Sequence, residues 1–123
     1  MYKSLAKTLF VGKKLIFLPT CHSTNEEATD RLRQGSEPEG TLIITENQTH
    51  GRGQMNNVWV SQPGQNLTFS LIFYPVQLPA QHQFALNLAV SLGITDVIKK
   101  YAEGVQVKWP NDIFIADQKL GGI

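Results

Sequence analysis

Short apolar runs separated by polar segments predict several β-strands along the chain. The run KLIFL predicts a strand over Lys14–Leu18, closed by Pro19, and TLIIT predicts another over Thr41–Thr45. In residues 67–74, apolar and more polar side chains alternate, which predicts a half-buried strand. One face of that strand carries Leu67, Phe69, Leu71 and Phe73, and the other carries Thr68, Ser70, Ile72 and Tyr74. The first ten residues have no clear period and predict only a lead-in or a short helical turn.

Two helices are predicted among these strands. Ser23 followed by Glu26 forms a capping box and Gly35 supplies a stop signal, so a helix is predicted over Thr24–Gln34. Residues 80–101 contain no proline and place apolar side chains at helical spacing, which predicts a long amphipathic helix packed on the sheet. Its apolar positions are Phe84, Ala85, Leu88, Ala89, Leu92 and Ile98.

The end of the chain predicts a strand followed by a hairpin. Val105–Trp109 is the predicted strand, which Pro110 interrupts. Ile113–Ala116 and Leu120–Ile123 would then pair about a turn at residues 117–118. The elements together predict an α+β fold, in which a mixed β-sheet is packed with helices in a single domain.

Composition narrows the class of protein. A chain of 123 residues fits one domain, which would bury about two-thirds of its unfolded surface. The formal net charge is +1 and the pI is 7.9, so the chain lacks the concentrated basic charge of a nucleic-acid-binding protein. The single cysteine, Cys21, cannot form an internal disulfide, and neither a leader peptide nor a transmembrane run is found. These features predict a cytoplasmic protein without nucleic-acid or membrane partners.

The polar segment between two predicted strands, residues 45–70, is the first candidate site. Gly51 and Gly53 let main-chain N–H groups approach a ligand without a Cβ in the way. Arg52 between them can form paired hydrogen bonds to a carboxylate or phosphate. The pattern is neither a Walker loop nor a dinucleotide fingerprint. An anion-binding loop and a mobile connector with an exposed arginine are both open interpretations, although a dozen residues without predicted secondary structure favour function.

A second candidate site lies in the segment KWPNDIFIADQKLGG. The predicted hairpin would return Lys119 to the level of Asn111, on the same side of the sheet. With Lys108, two amines and an amide could then meet one anionic group. The alternative is a tight turn after Pro110 in which Asn111 and Asp112 bond their own backbone while both lysines are solvated.

Three further positions also have two interpretations. Trp59, at the end of the polar loop, either packs into the core or offers a stacking face to a planar ring. Ser23 and Thr24 either bind a ligand or only cap the helix that follows them.

These segments together resemble biotin protein ligases, the enzymes that join biotin to carboxylase carrier domains. The matching segments in chain order are CHSTN, ENQTHGRGQ with the downstream VW, PGQNLTFSL and KWPNDIFIADQKLGGI. The last of these is the most specific, and the match extends from about Leu15 to Ile123. The resemblance implies a class II synthetase-like biotin/lipoate ligase catalytic fold, here truncated.

The resemblance also implies roles for individual residues. The biotin-binding residues would be Ser23, Thr24, Asn25, Gln48, Gly51, Arg52, Gly53, Lys119 and Gly122. The nucleotide-binding residues would be Arg52, Gln54, Trp59, Asn111 and Lys119, and no protein site for a resident metal is implied. Arg52 and Lys119 would be the catalytic residues, both facing the biotin carboxylate and the nucleotide phosphate.

The implied reaction has two steps. Biotin and ATP give biotinyl-5′-adenylate and pyrophosphate, and a lysine of a biotin carboxyl carrier protein then attacks the mixed anhydride. Since a carboxylate that attacks a phosphate is repelled by its charge, cations and N–H groups must be aimed at the phosphorus. Arg52, Lys119, the loop amides and Mg²⁺ would supply them.

The sequence also departs from the family pattern. Many relatives continue the loop as G-R-G-R-x-G, whereas Gln54 replaces the second arginine here and Asn56 replaces the glycine. The resemblance assigns no role to His50, which is interpreted as a solvated imidazole.

The ends of the chain differ from those of longer relatives. Too few residues precede Leu15 for the winged helix that repressor relatives carry, and relatives continue past Ile123 into further strands, helices and an SH3-like barrel. Residues 1–123 are therefore interpreted as the first part of a catalytic domain, whose exposed final edge favours self-association. Two alternatives are a lipoate-protein ligase-like enzyme, against which K-W-P-N-D argues, and a non-catalytic binding or dimerisation fragment of the same fold.

Overall fold

The computed structural model describes Tyr2, residues 7–35 and residues 37–123, and it divides the chain into two compact units. The first unit extends to Tyr74, and the second runs from Pro75 to Ile123. Part of the lead-in predicted for the first ten residues lies outside the described residues, and residues 7–14 form turns and bends. The elements of the first unit are β1 (Leu15–Cys21), α1 (Thr24–Gln34), β2 (Leu42–Gln48), β3 (Gly51–Arg52), β4 (Val58–Trp59) and β5 (Thr68–Leu71).

The main sheet of the first unit is mixed, as predicted. β1 pairs with β2 in parallel, and β2 pairs with β5 antiparallel, so that the strand order is β1-β2-β5. A parallel pair needs a crossover, and α1 supplies it between β1 and β2. The predicted bounds of α1 are confirmed, with Ser23 as N-cap and Gly35 as C-cap.

The prediction that Pro19 ends the first strand is wrong. β1 continues through Pro19 to Cys21, and the neighbouring residues Leu18 and Thr20 keep their register with β2. Proline is tolerated because β1 is an edge strand in the described sheet, where one row of N–H groups has no ladder partner to lose. β2 also runs further than predicted, to Gln48, and this extension carries a polar side chain beyond the core.

The strand β5 is half-buried, but its polar face is the buried one. Ser70 and Ile72 are 8% and 4% exposed, whereas Phe69 and Leu71 are 43% and 41% exposed. α1 packs on β2 and β5, and the Ser70 hydroxyl lies within hydrogen-bonding distance of that helix. The helix therefore covers the face that carries polar side chains, and the strand is shorter than the predicted range 67–74.

The second unit is a helix followed by a three-stranded antiparallel sheet. Its elements are α2 (Gln83–Ile98), β6 (Val105–Lys108), β7 (Asp112–Ile115) and β8 (Gln118–Gly122). The order of strands is β6-β7-β8. A 3-10 turn over Ala80–His82 precedes α2, so the predicted helix over residues 80–101 is too long at both ends. Among the described residues, no helix has the length and apolar character needed to cross a membrane.

α2 packs against β6, and its most buried residues differ from the predicted apolar stripe. Ser91 and Thr95 are buried, whereas Phe84, Leu88 and Leu92 are about half exposed. The Thr95 hydroxyl donates to the Ser91 carbonyl oxygen at 2.7 Å. That bond satisfies the Thr95 hydroxyl within the helix, so its burial is inexpensive.

The terminal hairpin forms, but with a different turn and register. β7 ends at Ile115 and β8 begins at Gln118, so the turn consists of Ala116 and Asp117. A register shift between Ile113 and Phe114 places Lys119 opposite Phe114. The prediction that Lys119 returns to the level of Asn111 is therefore wrong. Ile123 lies there instead, and its N–H donates to the Asn111 carbonyl oxygen at 3.0 Å.

Candidate functional site

A network of hydroxyl and amide groups joins the start of α1 to the end of β2. The Ser23 hydroxyl accepts from the Glu26 N–H at 3.4 Å, which is a long capping bond. The Thr24 N–H donates to Gln48 Oε1 at 2.9 Å, and the Thr24 hydroxyl lies 3.4 Å from the same oxygen. Ser23 and Thr24 are 5% and 3% exposed, so the network is largely shielded from water. The capping interpretation and a binding role are therefore compatible, because the cap uses Ser23 while Thr24 faces Gln48.

Ser70 on β5 extends this network from the neighbouring strand. Its hydroxyl oxygen lies 2.8 Å from Thr24 Oγ1 and 2.5 Å from Asn25 Oδ1. A hydroxyl has one proton, so Ser70 can donate to only one of these oxygens at a time. Ser70 is not among the site residues predicted from the sequence. The signal was present in the polar face of the strand, but only the tertiary contact with α1 shows its use.

The glycine-containing polar loop is a β-hairpin, which corrects the expectation that it has no secondary structure. β3 pairs antiparallel with β4, with Gly51 opposite Trp59 and Arg52 opposite Val58. We call residues 51–59 the hairpin arm. Its tip, a short 3-10 turn over Gln54–Asn56, has positive φ at Met55 and at Asn56.

The turn at the tip of the hairpin arm explains one departure from the family pattern. Hairpin turns of type I′ require positive φ at both central residues, and asparagine tolerates that conformation better than most residues other than glycine. Asn56 has φ 64°, so it occupies a position that favours glycine without the full strain. The turn is closed by the Asn57 N–H, which donates to the Gln54 carbonyl oxygen at 3.1 Å. Gln54, the other departure, is exposed at this tip.

The two glycines of the hairpin arm have different surroundings. A Cβ on Gly51 would lie 2.5 Å from Gln48 Nε2 and 2.6 Å from the Trp59 carbonyl oxygen, which neither atom could accept without moving. A Cβ on Gly53 would lie 3.4 Å from Asn57, an ordinary contact. Gly51 is thus required for Gln48 to lie over the hairpin arm. Trp59 is partly buried opposite Gly51, and neither the core nor the stacking interpretation is decided by that position.

Arg52 points away from the backbone of the hairpin arm toward α1. Its Nη2 lies 2.7 Å from Glu26 Oε1, in the first turn of that helix. The Arg52 side chain is 78% exposed, so this ion pair is surrounded by water and contributes little to stability. The guanidinium is therefore exposed to solvent although it is paired with Glu26.

Two histidines lie beside the start of α1. The rings of His22 and His50 have centroids 4.8 Å apart, and the Thr49 hydroxyl lies 2.8 Å from His50 Nδ1. The His50 N–H also donates to the His22 carbonyl oxygen at 2.8 Å. His50 is exposed, as predicted, but it contacts another imidazole, which the sequence did not indicate because residues 22 and 50 lie on different elements.

The thiol beside this histidine pair is not activated. Burial raises the pKa of the Cys21 thiol, a hydrogen bond with Thr45 lowers it by less, and the charge of Glu27 raises it again. A thiol is a nucleophile only as the thiolate, so this pKa shift disfavours covalent catalysis by Cys21 at neutral pH. Among the residues that the structure describes, no group of three or more His, Cys, Asp or Glu side chains could hold a metal ion.

The second unit places two lysines and an aspartate on one face of its sheet. Lys119 Nζ lies 2.8 Å from Asp112 Oδ1, and Lys108 Nζ lies 5.2 Å from the centre of the Phe114 ring. The register places Lys108 opposite Asp112 and Lys119 opposite Phe114, so these four side chains share a face. The two lysines thus share a face of the sheet, and their convergence on one anionic group stays a prediction.

The amide of Asn111 does not join the two lysines. Asn111 is 7% exposed, and its Nδ2 donates to the Ile123 carbonyl oxygen. Gly122, a predicted biotin contact, lies opposite Asp112 in the sheet. Arg52 lies in the first unit and Lys119 in the second, so their meeting around one ligand stays a prediction.

Most of the chain matches a known protein family. The model of the biotin/lipoate A/B protein ligase family matches residues 17–123, which is most of the chain. This chain belongs to that family. Proteins of similar sequence include the bifunctional ligase/repressor BirA of Bacillus subtilis, at 40% identity over 119 residues, and the biotin–protein ligase of Homo sapiens, at 30% identity over 130 aligned positions.

Solved relatives share the fold. The biotin protein ligase of Aquifex aeolicus in complex with biotin and ATP has a TM-score of 0.74 and 32% identity. The biotin acetyl coenzyme A carboxylase synthetase of Helicobacter pylori with bound biotinylated ATP has a TM-score of 0.72 and 29% identity. Each covers 89% of this chain, which confirms the predicted biotin/lipoate ligase catalytic fold.

The chain spans only part of each relative. It covers 36% of the Bacillus protein and 18% of the human protein, although the matches include 95% and 100% of this chain. Of the solved proteins it covers 45% in Aquifex and 52% in Helicobacter.

Proposed function

We propose that the protein is a biotin-activating ligase, which forms biotinyl-5′-adenylate from biotin and ATP and transfers biotin to a lysine of a biotin carboxyl carrier protein. The observation that carries this proposal is the shielded network of Thr24, Gln48 and Ser70 directly beside the hairpin arm with Arg52. It brings neutral hydrogen-bonding groups next to a cation. Biotin has the matching chemistry, with a neutral ureido head at one end and a carboxylate at the other.

The neutral end of the ligand would use the side chains at the start of α1. Ser23, Thr24, Asn25 and Gln48 together offer hydroxyl and amide groups, each of which can donate and accept hydrogen bonds. A ureido group has one carbonyl oxygen and two N–H groups, so it needs both kinds of partner. Because Thr24 and Gln48 already bond one another at 2.9 Å, their positions are set before a ligand arrives.

The charged end of the ligand would use the cations. In the first step a biotin carboxylate oxygen attacks the α-phosphorus of ATP, and pyrophosphate leaves with the electron pair of the broken P–O bond. Arg52 and Lys119 would reduce the repulsion between the two anions, and the N–H groups of Gly51 and Gly53 would assist them. In the second step a carrier lysine attacks the carbonyl carbon, AMP leaves, and the amine loses a proton.

The nucleotide end would use residues of both units. Gln54 offers an amide, Trp59 an aromatic face for adenine, and Asn111 and Lys119 polar groups for the phosphates. Mg²⁺ would arrive with the ATP phosphates, where it stabilises negative charge on the leaving group. The Asp112 carboxylate, next to Asn111 in the chain, could hold such an ion only after release from Lys119, whose Nζ lies 2.8 Å from Asp112 Oδ1.

Biotin is preferred to lipoate as the substrate of this proposal. The family model includes both kinds of ligase, but the human and Aquifex proteins named above are biotin protein ligases, and the segment K-W-P-N-D supports the same choice. The raised pKa of Cys21 fits a reaction without a covalent enzyme intermediate. The proposal also includes a cytoplasmic location and the absence of a nucleic-acid partner. It further includes self-association through the terminal edge and a partial catalytic domain over residues 1–123.

Calorimetry and pyrophosphate release test the function directly. Heat on titration with biotin, and biotin-dependent release of pyrophosphate from ATP, are expected. Replacement of biotin by lipoate tests the lipoate ligase alternative. If titration with biotin and titration with ATP both give no heat, the non-catalytic fragment is favoured. Biotin binding without pyrophosphate release would mean that this chain holds the substrate but does not activate it.

A further inference from the structure

The contact between Arg52 and Glu26 joins the hairpin arm to α1. The carboxylate that holds Arg52 belongs to the same helical turn as Asn25, whose side chain is predicted to bind biotin. The guanidinium predicted to receive the ligand anion therefore already has an anion beside it. The predicted site residues do not include Glu26.

We propose that Glu26 is a positioning residue. Its ion pair with Arg52, which we call the clasp, holds the guanidinium before ligand binding and must open when a ligand carboxylate or phosphate takes the place of the Glu26 carboxylate. This inference rests on the proposed function, because it concerns the anion that Arg52 receives. Two anions held close to one guanidinium repel each other, so the ligand and Glu26 compete. The clasp keeps the hairpin arm against the helix until the ligand arrives.

The exposure of the ion pair makes such an exchange possible. Arg52 is 78% exposed and Glu26 39% exposed, so water can solvate both groups as the contact opens. Exposed ion pairs contribute little free energy, and the cost of opening this one is correspondingly small. The hairpin arm can move as a unit, because its own hydrogen bonds hold its two strands together. One of them is the bond from the Gly53 N–H to the Asn57 carbonyl oxygen at 2.7 Å.

The same helical turn contains a matched control. Glu27 follows Glu26 directly, but its carboxylate lies 2.8 Å from Arg31 Nη2 and not at Arg52. Glu26→Gln and Glu27→Gln each remove one negative charge from the first turn of α1. Effects of net charge and of the helix dipole are therefore equal in the two variants, and only Glu26→Gln opens the clasp.

Ligand titration is the first test. Biotin should bind up to about fivefold more tightly to Glu26→Gln than to the unsubstituted chain, and Glu27→Gln should leave its affinity unchanged. Biotinol, which lacks the carboxylate, should bind equally to all three. ATP compared with adenosine decides whether the nucleotide phosphate also competes. Equal biotin affinity in the two variants, or equal tightening of biotinol, would overturn the proposal.

Amide hydrogen exchange is the second test and needs no ligand. The Gly53 and Asn57 amides of the hairpin arm should exchange severalfold faster in Glu26→Gln than in Glu27→Gln. In the Arg52→Ala background, Glu26→Gln should have no further effect on exchange. If no variant binds biotin or ATP, the proposed function fails, while these rates still decide the clasp: faster exchange in Glu26→Gln alone supports it, and equal rates refute it.

Discussion

Substitution of Gly51 by alanine tests whether the hairpin arm and Gln48 form one packed unit. The added Cβ would lie 2.5 Å from Gln48 Nε2 and 2.6 Å from the Trp59 carbonyl oxygen. The φ of Gly51 is outside the left-handed region, so contact and not backbone strain sets the cost. Gln48 can rotate away, but the Trp59 carbonyl belongs to the ladder of the hairpin arm, so that ladder must also move.

The size of the effect follows from these contacts. Overpacking at a close contact costs about 1–3 kcal/mol. Displacement of Gln48 also breaks its bond from the Thr24 N–H, which contributes about 0.5–1.5 kcal/mol. We expect Gly51→Ala to lower the free energy of unfolding by about 1.5–4.5 kcal/mol, the sum of the two costs. Biotin affinity should fall about tenfold, because the lost hydrogen bond also positions the proposed ligand contacts.

Urea unfolding, followed by tryptophan fluorescence and circular dichroism, measures the change in stability. Hydrogen exchange at the Thr24 amide reports the local bond to Gln48, and it should become faster. Gly53→Ala is the matched control, since its Cβ would lie 3.4 Å from Asn57 and should leave exchange at Thr24 unchanged. A Gly51→Ala chain with unchanged stability and unchanged Thr24 exchange would show that the packing argument is mistaken.

Three further changes test other parts of the structure. Ser23→Ala should lower the free energy of unfolding by about 0.5–1 kcal/mol, because the capping bond is long, and Ser23→Asp should restore it in a urea titration. Lys119→Gln should abolish biotin-dependent pyrophosphate release. It should change the free energy of unfolding by less than about 1 kcal/mol, since the ion pair of Lys119 with Asp112 is partly exposed. Unaltered release would remove Lys119 from the proposed mechanism. Iodoacetamide should modify Cys21 more slowly in the folded than in the urea-unfolded chain, because its folded pKa is raised. Because the folded pKa is raised, ionisation of Cys21 should not change the free energy of unfolding at pH values below the pKa of this thiol in the unfolded chain. As pH rises from that value toward the folded pKa, the free energy of unfolding should fall. Cys21→Ser should eliminate this pH effect.

The features that the sequence predicted well depend on residues close together in the chain. The capping box at Ser23 and the stop at Gly35 set the bounds of α1, because they act on the backbone of their own turn. The four-segment resemblance predicted the family, which the match over residues 17–123 shows. The roles of the individual site residues remain predictions, since they concern a ligand.

The features that required the tertiary structure depend on which surfaces meet. The pattern of β5 identified two faces but not that α1 would cover the one with Ser70, and the stripe on α2 did not show that Ser91 and Thr95 would be buried. The register of the terminal hairpin was likewise decided by the shift between Ile113 and Phe114.

The sequence by itself determined the family, the order of the main strands and helices, and the segments that carry the candidate site. Only the tertiary structure decided that Gly51 makes room for Gln48, that Ser70 reaches Thr24, and that Glu26 holds Arg52. The physical reason is the separation along the chain. Local backbone preferences act over a few residues, whereas these contacts join distant segments whose distances are set by strand register and helix packing.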